Sequence, residues 1–268
     1  MRMRKHRLNA SSRRSTQSSS PARTRSVPLT DYKVLTFDTY GTLIDWETGI
    51  YSALGPLLAK LETAPARDRA LEHFARAEST QQAETPGMIY SELLAAVYLT
   101  LAKDWGAAAD HDEATKFGSS VKDWPAFADS RPALQYLKKH YRMITLTNCD
   151  RASYRGSDER LGHPWDAIYT AQDVGSYKPS SRNFDYLLDH VRKEFGFGRT
   201  DILHTAQSLF HDHVPATAHG LATAWIDRRH DAEGYGATMP PPGEYRIDFH
   251  FTSMADIVRA HQDALSKR

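Results

Sequence analysis

One cysteine, Cys149, occurs in 268 residues. No disulfide can therefore close within the chain, and a reducing compartment such as the cytoplasm suits it. Apolar runs long enough to span a bilayer are missing, as is the apolar core of a secretory signal peptide. Internal repeats are absent too. No acidic residue precedes Asp31, whereas residues 1–30 hold eight basic ones: Arg2, Arg4, Lys5, Arg7, Arg13, Arg14, Arg23 and Arg25. Removing those eight from the 34 Lys and Arg leaves 26 against 33 Asp and Glu. The body of the chain is thus mildly acidic, which argues against a nucleic-acid-binding surface.

Residues 1–29 form a leader rich in Arg and Ser. Such a segment cannot bury enough apolar surface to offset chain entropy, so it is expected to be disordered. Its lack of acids also fits a mitochondrial transit peptide, the alternative to a cytoplasmic location, although the apolar face of such a helix is thin.

Beyond the leader, short apolar runs alternate with helix-period segments, the pattern of a doubly wound parallel sheet in an α/β fold. The expected strands are Lys33–Phe37, Met143–Leu146, Ala167–Thr170, Ile202–Ala206, Ala222–Ile226 and Asp248–Phe251. Phe184, Leu187, Leu188, Val191 and Phe195 share one helical face, and a last helix runs from about Met254 to Ala264. Between the first two strands lie about a hundred residues with no strand signal. A crossover needs only about a dozen residues, so residues 47–123 are expected to form a separate helical cap on a core of residues 30–46 and 124–268. Its apolar positions are Ile50, Leu54, Leu57, Leu58 and Leu61, then Tyr90, Leu93, Leu94, Val97, Tyr98 and Leu101. Asp129 or Ser130 is expected to cap a helix starting at Pro132, and Gly234–Gly243 to form a surface loop.

Four strand ends carry polar groups: Asp38 and Thr42; Thr147 and Asn148; Lys178; and Gln207, Ser208 and Asp212. In open α/β sheets ligands bind at such ends, and a carboxylate before a Gly-containing turn is placed as a nucleophile. In this order the segments Asp38-Thr39-Tyr40-Gly41-Thr42-Leu43, Leu146-Thr147-Asn148, Gly175-Ser176-Tyr177-Lys178-Pro179 and Gln207 to Asp212 resemble the haloacid dehalogenase superfamily. The resemblance spans about residues 31–262. Within the superfamily the chain looks most like the type II 2-haloacid dehalogenase branch.

That resemblance implies a hydrolase in which Asp38 displaces halide from a short 2-haloalkanoic acid, forming an ester that water opens to a 2-hydroxy acid of inverted configuration. Lys178 would pair with Asp38 and keep it ionised. Thr42, Thr147 and Asn148 would bind the substrate carboxylate or orient Asp38, with Tyr40, Gln207 and Ser208 also facing the substrate. Asp212 would position Lys178 or the water, and Arg76, from the cap, would receive the halide. Superfamily phosphatases carry an Asp at the position of Tyr40 to protonate the leaving group, general-acid help of about 10²–10⁴-fold. A halide needs no proton to leave. Gln207 stands where metal-dependent relatives place a Mg²⁺-binding Asp, and a neutral amide weakens such a site; no cofactor is expected. Leu209 and Phe184 replace an Asn and a Tyr of the dehalogenase branch, removing hydrogen-bonding groups that would hold the water.

The competing readings are a Mg²⁺-dependent phosphatase on the same Asp38, and a non-catalytic protein binding a small molecule or a partner. An apolar cap face could support a homodimer. His211-Asp212-His213 resembles a metal cluster only superficially, because alternate residues do not share a helical face. Cys149 has no Cys–His signature and is expected to be a passive thiol.

Overall fold

The computed structural model describes residues 27–267. The leader therefore lies outside the described residues except for its end, where Leu29 is already buried and opens a short 3-10 turn. Among the described residues six strands form one parallel sheet: β1 (Val34–Phe37), β2 (Arg142–Thr147), β3 (Ala167–Thr170), β4 (Ile202–Ala206), β5 (Ala222–Ile226) and β6 (Phe249–Phe251). Their spatial order is β3-β2-β1-β4-β5-β6. The chain walks outward from β1 in one direction, then returns and walks in the other. The reversal falls between β1 and β4, where Phe37 lies beside Thr205, and a crevice opens beyond the strand ends at such a reversal.

The helices are α1 (Trp46–Ala53), α2 (Gly55–Leu58), α3 (Arg67–Glu84), α4 (Tyr90–Asp104), α5 (His111–Gly118), α6 (Ser130–Leu137), α7 (Arg151–Leu161), α8 (Ala171–Val174), α9 (Ser181–Phe195), α10 (Val214–Ala218) and α11 (Met254–Ser266). Side chains alternate across each strand, and both sheet faces are covered. Val34, Ile144, Leu146 and Ile202 pack on Phe184, Leu187 and Val191 of α9. Leu35, Phe37, Met143 and Leu203 face the cluster containing Leu134 and Leu137 of α6 and Ile257 of α11. Double coverage explains why the strands read as continuous apolar runs rather than as alternating ones. Asp129 does precede α6, but its carboxylate makes no capping bond. It instead accepts both Arg228 guanidinium N–H groups at 2.9 Å and the Met254 N–H at 2.8 Å, tying α6 to the start of α11. Pro132 sits inside the first turn of α6 rather than opening it.

Helices α1–α5 all lie between β1 and α6. The expected face of α4 is realised, with Tyr90, Leu93, Leu94, Val97, Tyr98 and Leu101 all buried. These side chains belong to the same apolar cluster as Leu35 and Phe37 of β1, so the insertion and the sheet share continuous packing. Both ends of the insertion meet at Ile44, which bridges to Tyr40 on one side and to Ala126 on the other. Gly49 of α1 lies against the Trp124 ring, and a Cβ there would overlap that side chain. Gly49→Ala is expected to cost about 1–3 kcal/mol by overpacking, despite the better helix propensity of Ala. Urea unfolding of the variant checks this, and an unchanged midpoint would contradict it.

Candidate active site

Asp38 follows directly on β1, the most central strand, and its backbone N–H donates to Thr205 O on β4 at 3.1 Å. The chain then turns tightly: Leu43 and Ile44 N–H groups both donate to Thr39 O, at 2.8 and 3.0 Å. Gly41 has φ +89, and a Cβ there would lie 2.9 Å from Trp46 Nε1. The turn therefore needs glycine for both conformation and space. Thr42 Oγ1 is brought back onto the nucleophile position, donating to Asp38 Oδ2 at 2.7 Å and accepting the Gln207 N–H at 2.9 Å.

Lys178 enters from the loop after β3 and α8. Its ammonium is almost wholly buried and every N–H is used: Asp38 Oδ1 at 2.8 Å, Asp212 Oδ1 at 2.7 Å and Leu146 O at 3.0 Å. Asp212, in a single π-helical turn Leu209–His213 after β4, also accepts from His204 Nε2 at 2.9 Å. Thr36 Oγ1 lies 2.8 Å from His204 Nδ1, completing a chain into the sheet.

One cation thus serves two buried carboxylates, and they do not share it equally. Burial pushes the Asp212 carboxyl up, but Lys178 and His204 together overcome this and hold it far below the usual carboxylate range. Burial also pushes the Asp38 carboxyl up; Lys178 opposes this and the Asp212 charge reinforces it, leaving Asp38 raised. Pairing with Lys178 alone would lower Asp38; the burial and the second carboxylate outweigh it. Burial pushes the Lys178 ammonium down, and the two aspartates more than reverse that. A more basic carboxylate is a better nucleophile, provided that it stays ionised.

Asp38, Lys178, Asn148, Tyr40 and Ser208 line one cavity with Trp46, Glu78, Gln82, Tyr90 and His211. Its free volume is about 20 Å³, enough for roughly one water molecule. Of the residues singled out from the sequence, several sit differently from expectation. Asn148 lines the cavity, but its side chain is committed to the Lys178 backbone, accepting the N–H at 2.7 Å and donating to the carbonyl at 3.0 Å. The Tyr40 hydroxyl is 3.0 Å from Ser157 Oγ and donates to Cys149 Sγ at 3.4 Å. Burial raises the Cys149 thiol well above its ordinary range, in line with a passive role. Ser208 Oγ accepts the His211 N–H at 3.0 Å, capping the turn that carries Asp212. Thr147 Oγ1 is buried at the end of β2 without a partner. Gln207 borders a neighbouring cavity of about 300 Å³ that also includes Trp46, Arg67, Arg228 and Arg229. Phe184 packs beneath the site, edge-on to the His204 ring.

Arg76 is not brought to the site. It is exposed and borders an outer groove of α3 with His73, Thr80 and Glu84. The opposite face of α3 points inward instead, carrying Leu71, Phe74, Ala75, Glu78 and Gln82. That face was legible: those positions follow the 3-and-4 spacing of one helical face, and its last two members are polar where a packing helix would be apolar. His211, Asp212 and His213 are all buried but diverge, and no group of three His, Cys, Asp or Glu among the described residues is arranged to hold a metal. Burial holds the His211 imidazole down at about 4, so it is neutral near pH 7, and its Nε2 lacks a partner.

The fold has counterparts among known proteins. The model of the haloacid dehalogenase-like hydrolase family matches residues 32–201. Among solved structures, the L-2-haloacid dehalogenase from Xanthobacter autotrophicus with chloropropionic acid covalently bound is 14% identical, with a TM-score of 0.70 over 86% of this chain and 98% of that one. The defluorinating L-2-haloacid dehalogenase Rha0230 is 20% identical, with a TM-score of 0.69 over 88% of this chain and 98% of that one. The HAD-hydrolase YfnB from Bacillus subtilis, bound to magnesium, is 16% identical, with a TM-score of 0.67 over 86% and 99%. No curated protein matches the chain. At these identities the solved structures establish the α/β fold, and the family match, which covers more than half of the chain, establishes the kinship: this protein belongs to the haloacid dehalogenase-like hydrolases.

Proposed function

We propose that this hydrolase breaks the carbon–halogen bond of a short 2-haloalkanoic acid through an ester on Asp38, without a metal. The observation that carries the reading is the Lys178 ammonium lodged between Asp38 and Asp212, at 2.8 and 2.7 Å, beneath a small cavity. Mg²⁺ needs several oxygen ligands in near-octahedral array. Here the facing oxygens of both aspartates already bind a buried cation, and Gln207 supplies no charge. The residues do not fit the ion.

An Asp38 oxygen attacks the halogen-bearing carbon; the new C–O bond forms as the C–X bond breaks, and the electron pair leaves with the halide. Lys178 and Thr42 hold the carboxylate in line. Water then adds to the ester carbonyl, the 2-hydroxy acid departs with its alkoxide protonated, and Asp38 is regenerated with release of one proton. His211, which lines the cavity and has an unpaired Nε2, would hold that water in the absence of the branch's Asn, here Leu209. The single-water cavity requires α3 and α4 to yield for entry, and then excludes solvent from the ester.

Halide release from (S)- and (R)-2-chloropropionate, with and without EDTA, tests the proposal. The expected outcome is release from one enantiomer, unchanged by the chelator. Release from neither, together with Mg²⁺-dependent hydrolysis of a phosphate ester, would overturn it.

A further inference from the structure

Glu78 is the only carboxyl that the helical insertion contributes to the lining of the Asp38 cavity among the described residues. It is almost fully buried, at 3% exposure, and Gln82 lies one turn further along the same face of α3. A buried carboxyl without a cation beside it is held in its protonated form, and so keeps an O–H to donate. The one cation lining this cavity, Lys178, has its N–H groups committed to Asp38, Asp212 and Leu146 O. The sole hydrogen bond to Glu78 is donated by Tyr90 O–H to Oε1 at 2.7 Å. That bond fixes which oxygen is the acceptor and leaves Oε2 to carry the acid proton.

We propose that Glu78 is a second catalytic group, whose Oε2–H donates a hydrogen bond to the departing halide while Asp38 attacks. The inference rests on the displacement proposed above and assigns the leaving-group end of it. No proton is transferred: the halide leaves as an anion, and Glu78 keeps its hydrogen. The donor is worth most for the most basic halide, so the site is suited to fluorinated as well as heavier 2-haloacids. Burial pushes the Glu78 carboxyl up to about 7, which keeps it a donor at mildly acidic pH and turns it into a repelling anion above. The other titratable groups facing the cavity are Asp38 and Tyr40 after β1, Tyr90 on α4, Lys178 after α8 and His211 after β4. Tyr177, beside Lys178, stacks at a tilt on Tyr90. The tyrosines are all raised by burial and stay neutral across the range concerned.

The test compares fluoride and bromide release from 2-fluoropropionate and 2-bromopropionate between pH 6 and 8, in the wild type, E78Q and E78L. In the wild type the fluoride-to-bromide rate ratio is expected to fall about tenfold over this range, the change in protonated fraction for a group titrating near 7. E78Q keeps an N–H donor but cannot ionise, so it should retain part of the fluoride release with a flat ratio. E78L should lose fluoride release at least about tenfold more than bromide release. A wild-type ratio that does not move with pH, or variants that lower both halides alike, would overturn the assignment and leave Glu78 a structural residue. If no protein releases halide, the displacement reading itself fails, and fluoride-ion binding decides the donor separately. Quenching of tryptophan fluorescence by fluoride that weakens about tenfold from pH 6 to 8 in the wild type, but not in E78Q, would support the donor; no such difference would remove it.

Discussion

Asp38→Asn is expected to lower turnover by about 10⁴-fold or more while leaving the melting temperature unchanged or higher. The two halves of this result have one cause. Burial and the Asp212 charge both oppose ionisation of Asp38, so the reactivity proposed for it would be maintained at the expense of the fold. An asparagine keeps an oxygen to accept from Lys178, removes one of two like charges, and cannot form the ester. The pH dependence follows with the same sign. A raised carboxyl must be deprotonated to attack, so activity is expected to fall on acidification at a pH above that of an ordinary aspartate. Steady-state rates and thermal melts of the purified variant check both halves. Activity within tenfold of wild type would point to a different nucleophile, and a large loss of melting temperature would show that Asp38 is structural.

Lys178→Met should have the largest effect on stability, about 3–5 kcal/mol, because it leaves two buried carboxylates without their cation. Its pH dependence is expected to invert. In the wild type, Asp212 has a depressed carboxyl, so its contribution is present above the unfolded value and is lost as pH falls through the folded one. Without Lys178, Asp38 is left to burial and the Asp212 charge, both raising it, while Asp212 keeps only His204 against its own burial. The stability that Asp38 contributes is then greatest below its unfolded value and is lost as pH rises. Urea unfolding of the variant at pH 5 and 8 separates the cases, with greater stability expected at pH 5. Adding Asp212→Asn to Lys178→Met should recover part of the loss, since one uncompensated charge is removed. A double variant as unstable as the single one would show that Lys178 acts through packing instead.

The sheet was legible because its strands are buried on both faces, so that runs such as Val34–Phe37 and Ile202–Ala206 stand out without any alternation. Asp38 was legible for the same reason, since it interrupts apolar sequence where a loop must begin, whereas Lys178 and Asp212 stood out by their motifs. The insertion side of the cavity was harder. Residue type alone points to Arg76 of α3 as an anion receptor, but helical register does not. Arg76 and Glu78 are two residues apart, which on a helix means different faces, and only the buried face reaches Asp38. Trp46 carried no motif signal, and His211 stood out only as part of His211-Asp212-His213. Tyr90 reads as an ordinary member of the α4 apolar face, and only the meeting of α3 and α4 makes it the partner of Glu78. The balance between Asp38 and Asp212 was not readable either, because it depends on three charges from three separate strand ends meeting within one cavity.

The bridges from Ile44 to Tyr40 and to Ala126 make the helical insertion separable in heredity. Its entry and exit points are pinned side by side, so the sheet senses a closed loop whose length costs little, each doubling adding only about 0.6 kcal/mol of closure entropy. Asp38 and Lys178 belong to the core, whereas Glu78, Gln82 and Tyr90 belong to the insertion. A lineage could therefore exchange the helices, and with them the residues facing Asp38, wherever the replacement restored the apolar contacts that α4 shares with β1.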